Sequence, residues 1–216
     1  EEDYPNYFVK KYEGKRPFEV KFIDTSRDKW IGRTNEDIAW SRSIAAAAEA
    51  IKSDNLSEND LIYISDDDFI HVPRWGEIAL DYINNFLPKD GNFWVCPCDN
   101  CDKYFFTDDK HTIDSYGTDQ GMYADLTSKI RISNHCYWRE VPNCMTSSII
   151  PVKTFNRDYE EFWNRGYSDC SLNYEIRKRY KTQFWTPMPS LSCHAIHPFM
   201  PPFYHWDKVM NEVNLS

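Results

Sequence analysis

Three consecutive carboxylates, Asp66, Asp67 and Asp68, follow the short apolar run LIYIS. An apolar run of this length is typical of a buried strand, so we expect the triplet at a strand end. Carboxylates beside a buried strand need a neutralising partner, and a hard divalent cation prefers oxygen ligands. In an extended chain, Asp66 and Asp68 point the same way and Asp67 points away. The pattern predicts a divalent metal site, with an acidic turn that caps the following helix as the alternative.

Other residues that could do chemistry lie near the ends of predicted elements. Asp24 ends the alternating run FEVKFIDT. Asp169 precedes a predicted helix, where it could serve as a general base or only as an N-terminal acid. His194 has two further histidines close by in a proline-rich tail, which favours a ligand over a core histidine. Arg42, on a predicted helix, could hold a ligand or form a salt bridge.

The cysteines offer a second metal hypothesis. Cys96, Cys98 and Cys101 form the cluster CPCDNC, which could hold zinc together with His111 or Cys136. Structural zinc sites have two separated pairs of ligands, so buried thiols or a disulfide are favoured. The odd total of seven cysteines favours a reducing compartment.

The elements that must position these residues alternate between strand and helix patterns. Strands are predicted at 18–25, 61–65, 92–97 and 129–138, with one more apolar segment at 146–152. Helices are predicted at 35–52, 73–86, 119–127, 157–165 and 168–180, with a long loop at 99–118 and an irregular tail from Pro187. This alternation predicts an α/β three-layer sandwich with a mainly parallel central sheet flanked by helices. In such sheets ligands bind beyond the carboxyl ends of the strands.

The bulk properties exclude some classes of function. The 216 residues predict one domain over 1–216, and 41% hydrophobic with 27% charged residues is ordinary for a globular protein. A net charge of −9 argues against a protein that holds nucleic acid by its phosphates. No apolar stretch approaches the ~20 residues of a membrane span, and the N-terminus has no signal-peptide pattern. We expect a soluble chain, either cytoplasmic or a soluble catalytic fragment.

Taken in order, the motifs resemble those of nucleotide-sugar glycosyltransferases of the GT-A fold, over roughly residues 18–206. LIYISDDDF is similar to the strand that delivers the D-x-D motif of that family. FEVKFIDTS resembles the strand whose terminal acid contacts the base, and IAWSRSIAAA resembles the helix that carries a basic residue towards the donor. WNRGYSDCSLNYEIRKRY resembles the late motif with an acid before a helix, and SLSCHAIH the segment whose histidine completes the metal shell.

The resemblance implies a transferase that uses Mn²⁺ or Mg²⁺ to move a sugar from a UDP-sugar to a hydroxyl of a glycan or glycoprotein acceptor. About 18–110 would bind the donor and about 111–206 the acceptor, and Asp169 would be the general base of an inverting enzyme. The residues implied for the nucleotide-sugar are Asp24, Thr25, Arg42, Asp66 and Asp67; those implied for the metal are Asp68, Asp66 and His194, with His197 as second choice.

Three alternatives stay open. The stretch GTDQG at 117–121 resembles the D-Q motif of some retaining members, so the stereochemical outcome is not decided. A nucleotidyltransferase also uses strand-end carboxylates, but it needs a glycine-rich or basic phosphate loop that the seven glycines do not form. A non-enzymatic carbohydrate-binding or zinc-stabilised module would bind no nucleotide.

Overall fold

A mixed sheet with helices on both faces forms the frame of the chain. The computed structural model describes residues 39–66, 69–99, 129–144, 147–163, 169–194, 201 and 205–209. The helices are α1 (Ala39–Ser53), α2 (Trp75–Phe86), α3 (Val152–Glu161) and α4 (Asp169–Tyr180). The strands are β1 (Leu61–Ser65), β2 (Phe69–His71), β3 (Phe93–Val95), β4 (Ile130–Ile132), β5 (Tyr137–Val141), β6 (Ser147–Pro151), β7 (Gln183–Met188) and β8 (Ser192–His194).

The main sheet has the strand order β1-β6-β3-β7-β5-β4, and β2 pairs with β8 in a separate two-stranded sheet. Within the described residues, only β3 and β7 pair in parallel, and every other neighbouring pair is antiparallel. The α/β class is therefore confirmed, whereas a mainly parallel sheet is not found in this part of the chain. The reason is that β6 returns between β1 and β3, and β4 and β5 form a hairpin.

Three strands of the main sheet nevertheless end at the same edge. Because β6 is antiparallel to both β1 and β3, those two strands run in the same direction, and β7 follows β3 in parallel. The carboxyl ends of β1, β3 and β7 therefore lie at the same edge of the sheet. In open α/β sheets this is the edge at which ligands bind.

Two hydrophobic clusters cover the two faces of the sheet. Successive strand residues point to opposite faces, so Trp94 and Phe184 pack on one side while Val95 and Trp185 pack on the other. The first cluster includes buried residues of α1, α3 and α4; the second includes those of α2 and of the helical turn at 206–209. Helices thus flank the sheet on both sides.

Most predicted elements are found where the sequence placed them. The predictions at 61–65 and 168–180 match β1 and α4 within one residue. Elements α2, β3 and β6 lie within predicted segments, and α1 ends one residue beyond the predicted end. The prediction at 35–52 begins in residues that are not described, and those at 18–25, 99–118 and 119–127 lie wholly or almost wholly outside the described part.

Three predictions were wrong in detail. The strand expected at 129–138 is the hairpin of β4 and β5, because Ser133 and Cys136 exchange hydrogen bonds across a turn. Helix α3 begins at Val152 rather than at 157, since its first turn, VKTF, is rich in the β-branched and aromatic residues typical of strands. The tail from Pro187 is not irregular throughout. It contains the end of β7 and all of β8.

A buried polar cluster fixes α3 to the amino-terminal ends of β3 and β7. Asp158 is fully buried, accepts a hydrogen bond from Trp94 Nε1 at 3.0 Å and pairs with Arg157 at 2.7 Å. Arg157 also donates to Asn92 and Thr182. Burial raises the pKa of the Asp158 carboxyl to about 7. The cluster around Asp158 and Arg157 lies at the edge of the sheet opposite the acidic triplet. We therefore give it a structural role.

Candidate functional site

The acidic triplet begins where β1 ends, at the edge shared by the carboxyl ends of β1, β3 and β7. Ser65 is the last residue of β1, and its hydroxyl donates to the backbone oxygen of Asp66 at 2.9 Å. Asp66 itself is exposed, as a ligand for a cation or a nucleotide must be. Asp67 and Asp68 lie outside the described residues. The chain is described again from Phe69, the first residue of β2.

The pairing of β2 with β8 brings a residue from the far end of the chain next to the triplet. His194 lies directly opposite Phe69 in this antiparallel pair, and the two rings stack with their centroids 4.9 Å apart. Phe69 immediately follows Asp68 in the chain. The imidazole of His194 is therefore beside the segment that carries the carboxylates, and it is only partly buried.

Strand β8 is held on its other side by the segment that follows β3. Leu191 N and Ser192 N both donate to Pro97 O, at 2.9 and 3.2 Å, and Cys98 forms a parallel bridge with Ser192. On the β2 side, Val72 N donates to Leu191 O at 3.0 Å. Backbone hydrogen bonds on two sides thus position His194 relative to the edge of the main sheet.

A buried ion pair connects the segment that follows β3 to strand β5. Arg139 Nη2 donates to Asp99 Oδ1 at 2.8 Å, and the Asp99 side chain is only 2% exposed. Asp99 N donates to Ser190 Oγ at 2.8 Å, and Ser190 Oγ donates in turn to Ser192 O at 2.6 Å. The sequence analysis did not single out Asp99 or Arg139. The only signal was an acid shortly after a predicted strand.

A second feature that the sequence analysis missed lies beneath the triplet. Tyr63 Oη is hydrogen-bonded to Nε2 of His71 and lies 2.8 Å from Ser147 Oγ. Trp75 packs on both rings, with centroid distances of 4.6 Å to Tyr63 and 4.4 Å to His71. Burial raises the pKa of Tyr63 to about 12 and lowers the pKa of His71 to about 4, so both are neutral near pH 7.

The remaining predicted site residues are only partly described. Asp169 is the first residue of α4 rather than a residue before the helix, and its side chain is outside the description. Arg42 lies in the first half of α1 and is partly buried. Asp24, Thr25 and His197 lie outside the described residues. The structure therefore places His194 beside Phe69, the residue that follows the triplet, and the roles of all these candidates stay predictions.

Five cysteines with described side chains are thiols rather than disulfides: Cys96, Cys98, Cys144 and Cys193 are buried, and Cys136 is half-buried. Burial raises the pKa of the Cys136 and Cys193 thiols to about 11. Among the described residues, no group of three or more His, Cys, Asp or Glu side chains is close enough to hold a metal ion. Because Cys101 and His111 are not described, zinc at this cluster stays a prediction.

The comparisons with known proteins do not identify the chain: no family model, no curated protein and no solved structure matches it. Within the described ranges, no helix has both the length and the apolar character needed to cross a membrane. Inferences about activity must therefore come from the geometry of the site itself.

Proposed function

We propose that this chain is a metal-dependent glycosyltransferase of the GT-A type, which moves a sugar from a nucleotide-diphosphate sugar, a UDP-sugar in the first instance, to a hydroxyl of a glycan or glycoprotein. The observation that carries the proposal is the pairing of Phe69 with His194. It brings an imidazole from the tail next to the residue that follows the carboxylate triplet, at the edge where the carboxyl ends of β1, β3 and β7 lie. Ligands commonly bind at this edge in open α/β sheets.

The donor set fits Mn²⁺ or Mg²⁺. Asp66 and Asp68 would supply carboxylate oxygens and His194 an imidazole nitrogen, a mixed set that Mn²⁺ accepts better than Mg²⁺ does. A divalent ion held there would neutralise the charge that develops on the departing diphosphate. The exposure of Asp66 and the partial exposure of His194 leave both groups accessible to a nucleotide.

The other roles are those that the resemblance to GT-A glycosyltransferases implies. Asp169 at the start of α4 would accept the proton of the acceptor hydroxyl, and a general base must come within hydrogen-bond reach of that oxygen. Arg42 on α1, together with Asp24, Thr25 and Asp67, would hold the nucleotide. Each assignment can be separated from the others, because loss of the base should spare donor binding.

The test is nucleotide binding with and without metal. We expect Mn²⁺ together with UDP to raise the melting temperature, by on the order of 5 to 10 °C at a hundredfold excess over Kd, and GDP and CMP to raise it less. Release of UDP from a panel of UDP-sugars should then identify the donor. If no nucleotide stabilises the protein in the presence of Mn²⁺, the proposal is wrong.

A pair of matched variants localises the effect. Asp68→Asn removes one charge from the triplet and should abolish the metal-dependent response to UDP. Asp90→Asn removes one charge at the amino-terminal end of β3, on the opposite edge of the sheet, and should leave the response intact. Stabilisation by nucleoside triphosphates but not by UDP would favour a nucleotidyltransferase. Tight zinc binding without any nucleotide response would favour a non-enzymatic module.

A further inference from the structure

We propose that Tyr63 and His71 are positioning residues: their hydrogen bond, backed by Ser147, joins β1 to β2 on either side of the acidic triplet and so positions Asp66 at the end of β1. This inference rests on the proposed function for its consequence in metal binding. The connection between the two strands can be tested without that function.

The hydrogen bond joins the strands on the two sides of the triplet. Tyr63 lies on β1, before the triplet, and His71 is the last residue of β2, after it; the two residues are eight positions apart in the chain. Each strand is paired with a different partner, β1 with β6 and β2 with β8. The contact between Tyr63 and His71 is therefore a direct side-chain connection between the two sheets at the place where the chain crosses from one to the other.

The chemistry of the pair gives the hydrogen bond a defined direction. Since His71 is neutral near pH 7, its Nε2 accepts when the ring proton is on Nδ1, and the Tyr63 hydroxyl, which stays protonated, donates. The Ser147 hydroxyl can then donate to Tyr63 Oη at 2.8 Å. Ser147 is fully buried and lies opposite Ser65, the last residue before the triplet, in the pairing of β1 with β6.

The cluster is anchored from a third direction by α2. Trp75, the first residue of that helix, contacts both rings of the pair, and Arg74 before it adopts a left-handed backbone conformation with φ 64°. Strands β1 and β2, the start of β6 and helix α2 therefore all meet at this hydrogen bond. Outer groups that fix the orientation of metal ligands commonly change metal affinity by about 10–100-fold when they are removed.

Two variants remove the hydrogen bond while keeping the aromatic packing. Tyr63→Phe lacks only the hydroxyl, and His71→Phe keeps a ring against Trp75. We expect each to weaken Mn²⁺ binding, measured by titration calorimetry, by about tenfold. Because both variants break the same bond, the double variant should be little worse than either single one. His71→Gln can still accept from Tyr63 and should restore most of the affinity.

Hydrogen exchange provides a readout that does not depend on metal. In the metal-free protein, amides in a peptide covering residues 64–70 should exchange faster in both Phe variants than in the parent, and His71→Gln should reverse the change. Tyr82→Phe is the matched control, because it removes the hydroxyl of a buried tyrosine elsewhere in the core. The ring of Tyr82 stacks on Trp138. This control should change neither exchange in this peptide nor Mn²⁺ affinity.

The outcomes separate the two proposals. If the parent binds no Mn²⁺ but the exchange changes as expected, the connection of β1 to β2 by Tyr63 and His71 is confirmed and the proposed function is wrong. If the parent binds Mn²⁺ and the Phe variants lower only the melting temperature, with unchanged exchange at 64–70 and unchanged metal affinity, the pair is a packing contact and the inference is wrong. If Tyr63→Phe does not fold, comparing His71→Phe with His71→Gln in the same two measurements distinguishes the same outcomes.

Discussion

Phe69 and His194 lie directly opposite each other in the pairing of β2 with β8, with parallel rings 4.9 Å apart. The residues are far apart in the sequence, yet this contact joins the residue after the acidic triplet to the tail. The stacked Phe69 ring restricts the imidazole of His194. If His194 is a metal ligand, as proposed, this restriction would reduce the entropy lost on metal binding.

The first prediction concerns His194. We expect His194→Phe, which can keep the stack on Phe69, to weaken Mn²⁺ binding by at least about tenfold while changing the melting temperature of the metal-free protein little. His205→Phe, at an exposed histidine of the same tail, is the control and should bind like the parent. Calorimetric titration with Mn²⁺ measures both, and equal affinities would remove His194 from the site.

The second prediction concerns Arg42 on α1. Hydrogen bonds to charged groups contribute about 1.5–3 kcal/mol, so Arg42→Met should weaken UDP binding at saturating Mn²⁺ by about tenfold or more. The methionine keeps much of the apolar stem. Arg74→Met removes an exposed guanidinium that pairs with Glu77 at 2.8 Å and should leave the UDP affinity unchanged. If Arg42→Met binds UDP with the affinity of the parent, Arg42 does not hold the nucleotide, and the salt-bridge alternative is favoured.

The third prediction separates chemistry from binding at Asp169. Asp169→Asn should lower kcat by about 10²–10⁴-fold, the range of general-base catalysis, and leave the Kd of UDP and Mn²⁺ unchanged. If the carboxylate serves only the helix N-terminus, its removal should change stability by about 0.3–1 kcal/mol and spare kcat. Transfer assays and urea unfolding of the same variant distinguish the two roles.

The fourth prediction is a pH dependence caused by His71. Burial lowers its pKa in the folded protein to about 4, from the ordinary 6.5. The unfolded chain therefore binds more protons between these values, so His71 favours folding above pH 6.5 and that contribution is lost as the pH falls through 4. His71→Phe should reduce the loss of unfolding free energy between pH 7 and pH 4.5, by about 1 kcal/mol after allowance for solvent screening. Urea unfolding of both proteins at the two pH values measures this difference.

Local sequence patterns predicted some of this structure well. The run LIYIS is short, apolar and followed by charged residues, so β1 was predicted with its observed bounds. The strand lies at the edge of the sheet and is half-buried, whereas a buried strand was expected. The flanking prolines Pro73 and Pro88 located α2 within two residues at its start. These elements depend on interactions between neighbours in the chain, which a single sequence displays.

The long-range pairings could not be predicted in the same way. Strand β7 contains Pro187, which argues against a central strand, but β3 pairs only with Gln183, Phe184 and Trp185, so the missing N–H lies beyond that ladder. Strand β8 is only three residues long and depends on β2 and on Pro97 for its hydrogen bonds. The tail histidine was singled out from its residue type, whereas its position beside Phe69 required the fold.

The last prediction concerns the buried pair of Asp99 and Arg139, which connects β5 to the segment that supports β8. Asp99→Asn removes the carboxylate that pairs with the Arg139 guanidinium, which is 15% exposed, so we expect about 3–5 kcal/mol of destabilisation in urea unfolding. Lys52→Ala, which breaks a solvent-exposed pair with Glu160, should lose no more than about 1 kcal/mol. Because Ser190 ties Asp99 N to Ser192 O, the Asp99 variant should also speed hydrogen exchange in β8. Equal stability losses in the two variants would mean that water screens the Asp99 pair as it screens the surface pair.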